Sequence, residues 1–217
     1  MIGIVSASTV QEFFAFASLG ISHIVAREAA DHILFLVALA AAYRPREWRS
    51  VLWVVTAFTV GHSISLALAV SGRVPVPPKA IELAIALTIL VTAIENLVAT
   101  NRQVGAAGAR SWSFRYRPAL AAIFGLVHGA GFAEYLRALF VEQVAVPLAG
   151  FNVGIEIGQV LVLSCAAIVL VVLDRVIDAL RARAAWWRLA THRSRVVLVS
   201  SIVALVAARW VAARATW

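Results

Sequence analysis

Long apolar runs, separated by short stretches that carry most of the charges, dominate the pattern of this sequence. A helix needs about 20 mainly apolar residues to cross the roughly 30 Å hydrocarbon layer of a membrane. Six runs approach or exceed that length, at residues 29–43, 48–71, 80–99, 118–135, 145–173 and 196–213. None alternates with the period of two that is typical of barrel strands. The pattern therefore predicts an all-α fold, a polytopic transmembrane bundle of about six spanning helices.

A shorter apolar stretch, residues 13–25, precedes the first run. It is too short to cross and predicts an interfacial or re-entrant helix, with a seventh full span as the alternative. No basic segment precedes it, so we expect no cleaved signal peptide. The chain is interpreted as one integral membrane domain. Its parts are an N-terminal interfacial segment at 1–28, five spans at 29–173, a basic cytoplasmic segment at 174–195 and a last span at 196–213.

Composition supports a membrane location. The chain of 217 residues is 62% hydrophobic and 14% charged, whereas a soluble domain has about 25% charged residues. The excess apolar surface must face lipid. The net charge of +8 does not indicate nucleic-acid binding, because the basic residues lie almost entirely between the apolar runs, where they report membrane orientation.

Basic residues are distributed unequally between alternate loops. The loops after the first, third and fifth runs contain Arg44, Arg46, Arg49, Arg102, Arg110, Arg115, Arg117 and six arginines between Arg175 and Arg195. The other loops contain only Arg73, Lys79 and Arg137. The positive-inside rule therefore predicts cytoplasmic odd loops and two periplasmic termini in a bacterial inner membrane. The segment 174–195 suits either an amphipathic stretch on an anionic leaflet or a plain basic loop.

Ionisable and amide side chains interrupt the apolar runs. Each ionisable group costs about 2.5–3.5 kcal/mol on insertion scales, so such residues are candidates for function. They are Asp31, His32, His62, Glu95, Asn96, His128, Asn152 and Glu156, with His23 just before the first run. Imidazole and carboxylate groups suit Ni²⁺, Co²⁺, Zn²⁺ or Fe²⁺, and the single cysteine argues against a Cu(I) or cluster site. A proton relay could use the same side chains.

Helical spacing separates two kinds of position in the fifth run. Asn152, Glu156 and Gln159 form a polar stripe that should face the bundle interior, whereas Gly150, Gly154 and Gly158 form a second stripe. The glycines predict close helix packing, as does the pair Gly125 and Gly129. Glu95 should lie toward the cytoplasmic side, and the other acidic groups toward the outside. This spread across the membrane favours a conduction path.

Five blocks resemble the HupE/UreJ family of membrane proteins. They are GISHI at 20–24 with DHILFL at 31–36, TAFTVGHSISL at 56–66, the stretch from Glu82 to Glu95-Asn96, FGLVHGAGFA at 124–133 and GFNVGIEIGQ at 150–159. The family is associated with hydrogenase and urease gene clusters, and the resemblance implies a secondary permease for nickel or cobalt. Its motif residues correspond to His23, Asp31, His32, His62, Glu95, His128 and Glu156. The glycine-free stretch between His23 and Asp31 is longer than is usual in the family, which predicts that His23 is turned away by half a turn.

The leading hypothesis is a divalent-cation permease rather than an enzyme. Asp31, His32 and Glu156 would capture the ion, His62 and His128 would carry it through the midplane, and Glu95 with Asn96 would release it inward. The ion would be Ni²⁺ or Co²⁺, with Zn²⁺ as a further candidate. The candidate partners are the lipid bilayer, the cation, a second copy of the chain and a cytoplasmic metalloenzyme-maturation protein; nucleic acid is excluded.

Two alternatives remain open from the residues alone. An intramembrane zinc hydrolase would use three histidines and a carboxylate, although no His-Glu-x-x-His spacing is present. A metal-binding accessory subunit would deliver its ion to a partner enzyme, with residues 174–195 as the expected contact. No phosphate-binding loop of the Gly-x-x-x-x-Gly-Lys type occurs, so direct use of ATP would require a partner.

Overall fold

A computed structural model describes residues 7–70, 77–102, 109–139, 144–183 and 190–216. These ranges form seven α-helices and no strand, which confirms the all-α fold. The helices are α1 (Ala7–Val25), α2 (Ala30–Ala42), α3 (Trp48–Val70), α4 (Pro78–Arg102), α5 (Ala109–Leu139), α6 (Ala145–Arg183) and α7 (Thr191–Ala215). Short 3-10 turns at Arg27–Ala29 and Pro45–Glu47 precede α2 and α3.

Four segments among the described residues are long and apolar enough to cross a membrane. They are Pro45–Leu68, Pro78–Asn101, Ala145–Arg183 and Thr191–Ala215, on α3, α4, α6 and α7. They contain most of the predicted runs 48–71, 80–99, 145–173 and 196–213. The protein is therefore a multi-pass membrane protein, and the count of about six spans stays a prediction.

The first predicted span differs most from the structure. The run 29–43 becomes α2, which has only 13 residues and is about 20 Å long at 1.5 Å per residue, too short to cross alone. The preceding helix is longer than the predicted stretch 13–25, since α1 has 19 residues and packs lengthwise against α6. Residues 26–29, which contain the 3-10 turn, form a break between α1 and α2.

Two pairs of parallel helices pack at glycines. A Cβ atom on Gly154 would lie 2.0 Å from the carbonyl oxygen of Ala17, which brings α1 against α6. A Cβ atom on Gly125 would lie 2.0 Å from the carbonyl oxygen of Phe58, which brings α3 against α5. These backbones could not approach so closely with any larger residue. The predicted packing role of the glycine stripe is confirmed.

The antiparallel helices α4 and α7 complete the bundle. Near one end, Arg214 donates a hydrogen bond of 2.9 Å to the carbonyl oxygen of Glu82. Further along, the Asn96 amide donates one of 3.3 Å to Ser200. The buried core lies between these pairs and includes Leu36, Phe58, Leu66, Ile89, Phe151 and Ile155.

The basic segment 174–195 is divided between two helices. Its first part continues α6 to Arg183, and its last residues form the first turn of α7 from Thr191. Residues 184–189, in the middle of this segment, lie outside the described residues. Arg195 is 3% exposed and pairs with Asp174 at 2.5 Å, so it belongs to the bundle interior rather than to a loop.

Candidate metal centre

Four histidines and one aspartate meet at the break between α1 and α2. His23 lies near the end of α1, Asp31 and His32 in the first turn of α2, His62 in α3 and His128 in α5. His32, His62 and His128 are at most 4% exposed. The ring centroids of His23 and His32 are 4.8 Å apart, and those of His32 and His128 are 5.0 Å apart. Four helices thus deliver their imidazoles to one place.

The ligand atoms form two overlapping triads. One contains His23, His32 and His62, and the other contains Asp31, His32 and His128. Within each triad the potential ligand atoms lie within 4.8 Å of one another. Two bonds of about 2.0–2.2 Å to one metal ion hold their ligand atoms at most about 4.4 Å apart, so each triad is within a few tenths of an ångström of binding distances. His32 belongs to both triads and joins them.

A carboxylate fixes the orientation of His32. Oδ1 of Asp31 lies 2.9 Å from Nδ1 of His32 and also accepts a hydrogen bond of 2.8 Å from its backbone N–H. Because an ionised carboxylate only accepts hydrogen bonds, Nδ1 of His32 carries the proton. Its Nε2 is buried without a partner among the described residues. A lone pair on Nε2 therefore faces the cluster, as in the carboxylate-histidine pairs of metal sites.

A threonine does the same for His128. The Thr88 hydroxyl donates its single proton to the carbonyl oxygen of Ile85 at 2.7 Å, and its oxygen lies 3.0 Å from Nε2 of His128. With the hydroxyl proton directed to Ile85, Nε2 donates to Thr88 and Nδ1 of His128 is the unprotonated nitrogen. That Nδ1 atom is buried and has no partner among the described residues.

Further nitrogens in the cluster lack hydrogen-bond partners in the described part of the chain. Nε2 of His23 and both ring nitrogens of His62 are buried in this way. Buried polar atoms are nearly always paired in native proteins, so a concentration of unpaired ones requires an explanation. A bound cation that accepts their lone pairs would supply one.

Aromatic rings cover the cluster on two sides. Phe132 and Phe151 stack with centroids 5.4 Å apart, and Phe132 lies 4.0 Å from the ring of His23. On the other side, Phe35 and Phe58 stack at 4.9 Å. Phe58 also lies 5.1 Å from His128. These rings exclude water and lower the local dielectric constant around the imidazoles.

A cavity of about 410 Å³ leads to the cluster. Its lining includes His23, Asp31, His32 and His128, but not His62. The carboxylates of Glu28 and Glu82 also line it. Negative charge in a low-dielectric cleft attracts cations. The cavity thus offers a cation access to every member of the cluster except His62, which lies beyond it.

Glu95 and Asn96 form a separate polar group with Arg117. Arg117 pairs with Glu95 at 3.0 Å and donates a hydrogen bond of 2.7 Å to Oδ1 of Asn96. The amide of Asn96 donates to the carbonyl oxygen of Ala38 at 2.8 Å. The atoms predicted to release an ion are therefore engaged by a guanidinium in this structure. Their role in ion release stays a prediction.

The structure does not bring Glu156 or Asn152 into either triad. The Glu156 carboxyl lies near the hydroxyls of Thr59 and Thr56, which precede His62 on α3 by one to two turns. The neighbouring Gln159 accepts a hydrogen bond of 2.9 Å from Thr59. Oδ1 of Asn152 is buried without a partner among the described residues. These positions agree with an inward-facing polar stripe, and the role of Glu156 in ion capture stays a prediction.

The expected turning away of His23 is wrong. That expectation extends one continuous helix from residue 23 to residue 31, whereas the chain leaves the α-helix after Val25 and passes through the turn Arg27–Ala29. His23 and His32 therefore lie on different helices, and the 100° rotation per residue does not relate them. The break returns His23 to the cluster.

Sequence reasoning missed three kinds of site residue. Thr88, which orients His128, lies in a run read as uniformly apolar. The phenylalanine pairs were not separated from other core residues. Arg117 was counted among loop charges, although it is 5% exposed. Its position directly before Pro118, at the predicted start of a span, was the available signal.

The model of one protein family, described as HupE / UreJ protein, matches residues 2–214. No curated protein and no solved structure matches the chain. Because the family model covers nearly the whole sequence, the chain belongs to the HupE/UreJ family. This is a family of membrane transporters and accessory proteins that is linked to nickel and cobalt handling and is not known for enzymatic activity.

Proposed function

We propose that this HupE/UreJ protein is a secondary permease for a divalent transition-metal cation, with Ni²⁺ or Co²⁺ as its cargo. The supporting observation is the group of buried ring nitrogens without hydrogen-bond partners among the described residues, at the break between α1 and α2. Nitrogen and carboxylate donors without thiolates suit these borderline ions. The membrane setting makes such a site a candidate for transport.

The overlap of the two triads suggests how the ion moves. A cation in the cavity reaches Asp31, His32 and His128 first, because all three line the cavity, whereas His62 of the other triad does not. It then passes to His23, His32 and His62 without leaving His32, which both triads share. Several modest positions serve conduction better than one closed site, since a transported ion must also leave.

Arg117 defines the barrier on the inner side. Beyond the stacked rings of Phe35 and Phe58, the Glu95 carboxylate is neutralised by this guanidinium. A cation moving inward would meet a positive charge there. Release through Glu95 and Asn96, as predicted, then requires Arg117 to separate from Glu95. We propose that the conformation described here is open to the cavity and closed at Arg117.

We propose that α1 and α2 together make one broken crossing of the membrane. α1 runs parallel to α6, since Gly150 contacts Phe13 and Gly154 contacts Ala17. With α3 to α7 this gives six crossings and places both termini on one side. The positive-inside rule makes that side the periplasm of a bacterial inner membrane. Helices broken near the substrate site are frequent in secondary transporters.

Uptake of Ni²⁺ or Co²⁺ into proteoliposomes, read with an internal metal indicator, tests this function. We expect His62→Ala to abolish uptake, because it removes the triad member that lies beyond the cavity. His192→Ala is the matched control, since His192 is the histidine outside the cluster. Both variants should match the wild type in size-exclusion profile and helical circular dichroism. Normal uptake by folded His62→Ala protein would refute the proposed path.

The metal content of the purified protein separates transport from the alternatives. After loading and desalting, mass spectrometry should find nickel or cobalt in the wild type and in His192→Ala, but not in a His62→Ala/His128→Ala double variant. Stoichiometric metal without flux in proteoliposomes would instead favour an accessory protein that delivers its ion to a partner.

A further inference from the structure

A second cavity, of about 570 Å³, lies on the flank of the bundle away from the histidines. The last turn of α2, the first turns of α3 and the middle of α6 form its walls. Most of the lining is aliphatic and includes Val51, Leu52, Leu163, Ala167, Ile168 and Val171. Ile168 is 67% exposed, so the cavity opens sideways as a groove on the lipid-facing surface.

Positive charge is concentrated at one end of this groove. Arg44, Arg175 and Arg195 line it there. Arg195 is neutralised by Asp174 at 2.5 Å and also donates to the carbonyl oxygen of Tyr43. Arg44 and Arg175 are exposed and make no ion pair with another described residue. Two uncompensated guanidinium groups therefore stand at the mouth of an aliphatic groove.

Neighbouring groups mark this end as the level of the membrane interface. Trp48 lines the groove and is 56% exposed, and the guanidinium of Arg49 lies 5.4 Å from its ring centroid. Exposed tryptophan is typical of the boundary between lipid and water. The Glu47 carboxylate accepts a hydrogen bond from the Arg44 backbone N–H at 2.8 Å and does not line the groove.

The dimensions fit one lipid leaflet. Along α6 the groove extends from Val160 to Arg175, which is about 22 Å at 1.5 Å per residue. Half of a roughly 30 Å hydrocarbon layer is about 15 Å, and the remainder matches the headgroup region. A molecule that fills the groove thus has an apolar body and an anionic end at the level of the arginines.

We propose that this groove binds an anionic phospholipid, with its phosphate between Arg44 and Arg175 and an acyl chain along α6. Guanidinium groups form strong paired hydrogen bonds with phosphate. Basic pockets on the flanks of membrane helices recognise anionic headgroups in this way. The headgroup of phosphatidylglycerol has a net negative charge, whereas that of phosphatidylcholine has none. The two uncompensated guanidinium groups therefore favour phosphatidylglycerol.

Native mass spectrometry of the full chain in detergent tests the site. With phosphatidylglycerol and phosphatidylcholine of identical acyl chains, we expect at least about tenfold more of the anionic lipid to remain bound, which corresponds to about 1.4 kcal/mol. Arg44→Gln/Arg175→Gln should remove this preference. Lys79→Gln/Arg209→Gln, which removes the same charge from exposed positions outside the groove, should retain it.

Four results would overturn the proposal. Equal retention of both lipids would show that charge does not select the occupant. An unchanged preference in the Arg44→Gln/Arg175→Gln variant would place the lipid elsewhere. Full competition by glycerol phosphate at matched concentration would show a site that binds phosphate without an acyl chain. A lipid-free dimer that is lost in the Arg44→Gln/Arg175→Gln variant would show that a second copy of the protein covers the groove.

Discussion

The hydrogen bond between Asp31 and His32 gives the sharpest prediction about the metal centre. Oδ1 of Asp31 already accepts from Nδ1 and from the backbone N–H of His32. This carboxylate therefore acts chiefly by orienting His32 and raising its basicity. Asp31→Asn keeps an oxygen acceptor at the same place and removes only the charge, so the start of α2 should be preserved.

The size of the effect follows from that geometry. Loss of a carboxylate that supports a histidine ligand typically weakens metal binding by about 10–100-fold, which is about 1.4–2.8 kcal/mol. His32→Ala should be much more severe, because His32 contributes to both triads. The expected order of Ni²⁺ affinity is wild type, then Asp31→Asn, then His32→Ala.

Equilibrium dialysis of the detergent-purified variants against Ni²⁺ measures this order. Asp178→Asn is the control, since Asp178 is an exposed carboxylate outside the cavity and outside both triads. It should retain near wild-type affinity at physiological salt. If Asp31→Asn bound Ni²⁺ as weakly as His32→Ala, direct coordination by Asp31 would outweigh its orientation of His32, and if it bound Ni²⁺ normally, the carboxylate would not tune His32. Either result would refute the reasoning.

Two further predictions concern stability, measured by thermal unfolding in detergent. Gly154→Ala should lower the free energy of unfolding by about 1–3 kcal/mol, because its Cβ would meet the Ala17 carbonyl oxygen at 2.0 Å. Gly131→Ala should cost less, because its Cβ would meet only side-chain atoms, at 3.1 Å and beyond. Equal effects of the two variants would contradict the packing argument. Arg117→Leu should cost about 3–5 kcal/mol, because Glu95 loses the guanidinium that compensates its charge. Adding Glu95→Leu should restore part of the loss, and additive losses would show that the pair is not coupled.

The helices could be located from sequence because apolar length and glycine spacing are local signals. The run 145–173 coincides with the start of α6, and the stripe of Gly150, Gly154 and Gly158 predicts the face on which α1 packs. The charged residues Arg27 and Glu28 separate the apolar stretches 13–25 and 29–43, so the sequence also locates the break between α1 and α2. The position of His23 beside His32 could not be found in this way, because it depends on the turn Arg27–Ala29 and not on helical spacing.

The candidate ligands could be selected by residue type, since ionisable groups in apolar runs are rare. Their grouping could not be, because His23, His62 and His128 are far apart in sequence and meet only through helix packing. Glu156 and Glu95 are also ionisable groups in apolar runs, yet neither lies in the cluster. Glu156 lies near Thr56 and Thr59, and Glu95 pairs with Arg117. Charge pattern also assigned Arg117 to a loop, because residues adjoining a span and residues inside it look alike in sequence.

The helix break explains why the cluster lies where it does. α1 ends at Val25 and α2 begins at Ala30, so two helix ends meet beside His23 and His32. The carbonyl dipoles at the end of α1 favour a cation, whereas the amino-terminal dipole of α2 opposes one. Asp31 stands in that first turn and offsets the unfavourable dipole with a full negative charge. The same carboxylate thus stabilises the helix start, orients His32 and makes the break suitable for a divalent ion. Asp31→Asn keeps an oxygen that can accept the hydrogen bonds from His32 but removes the negative charge. It should therefore weaken metal binding more than it weakens the fold.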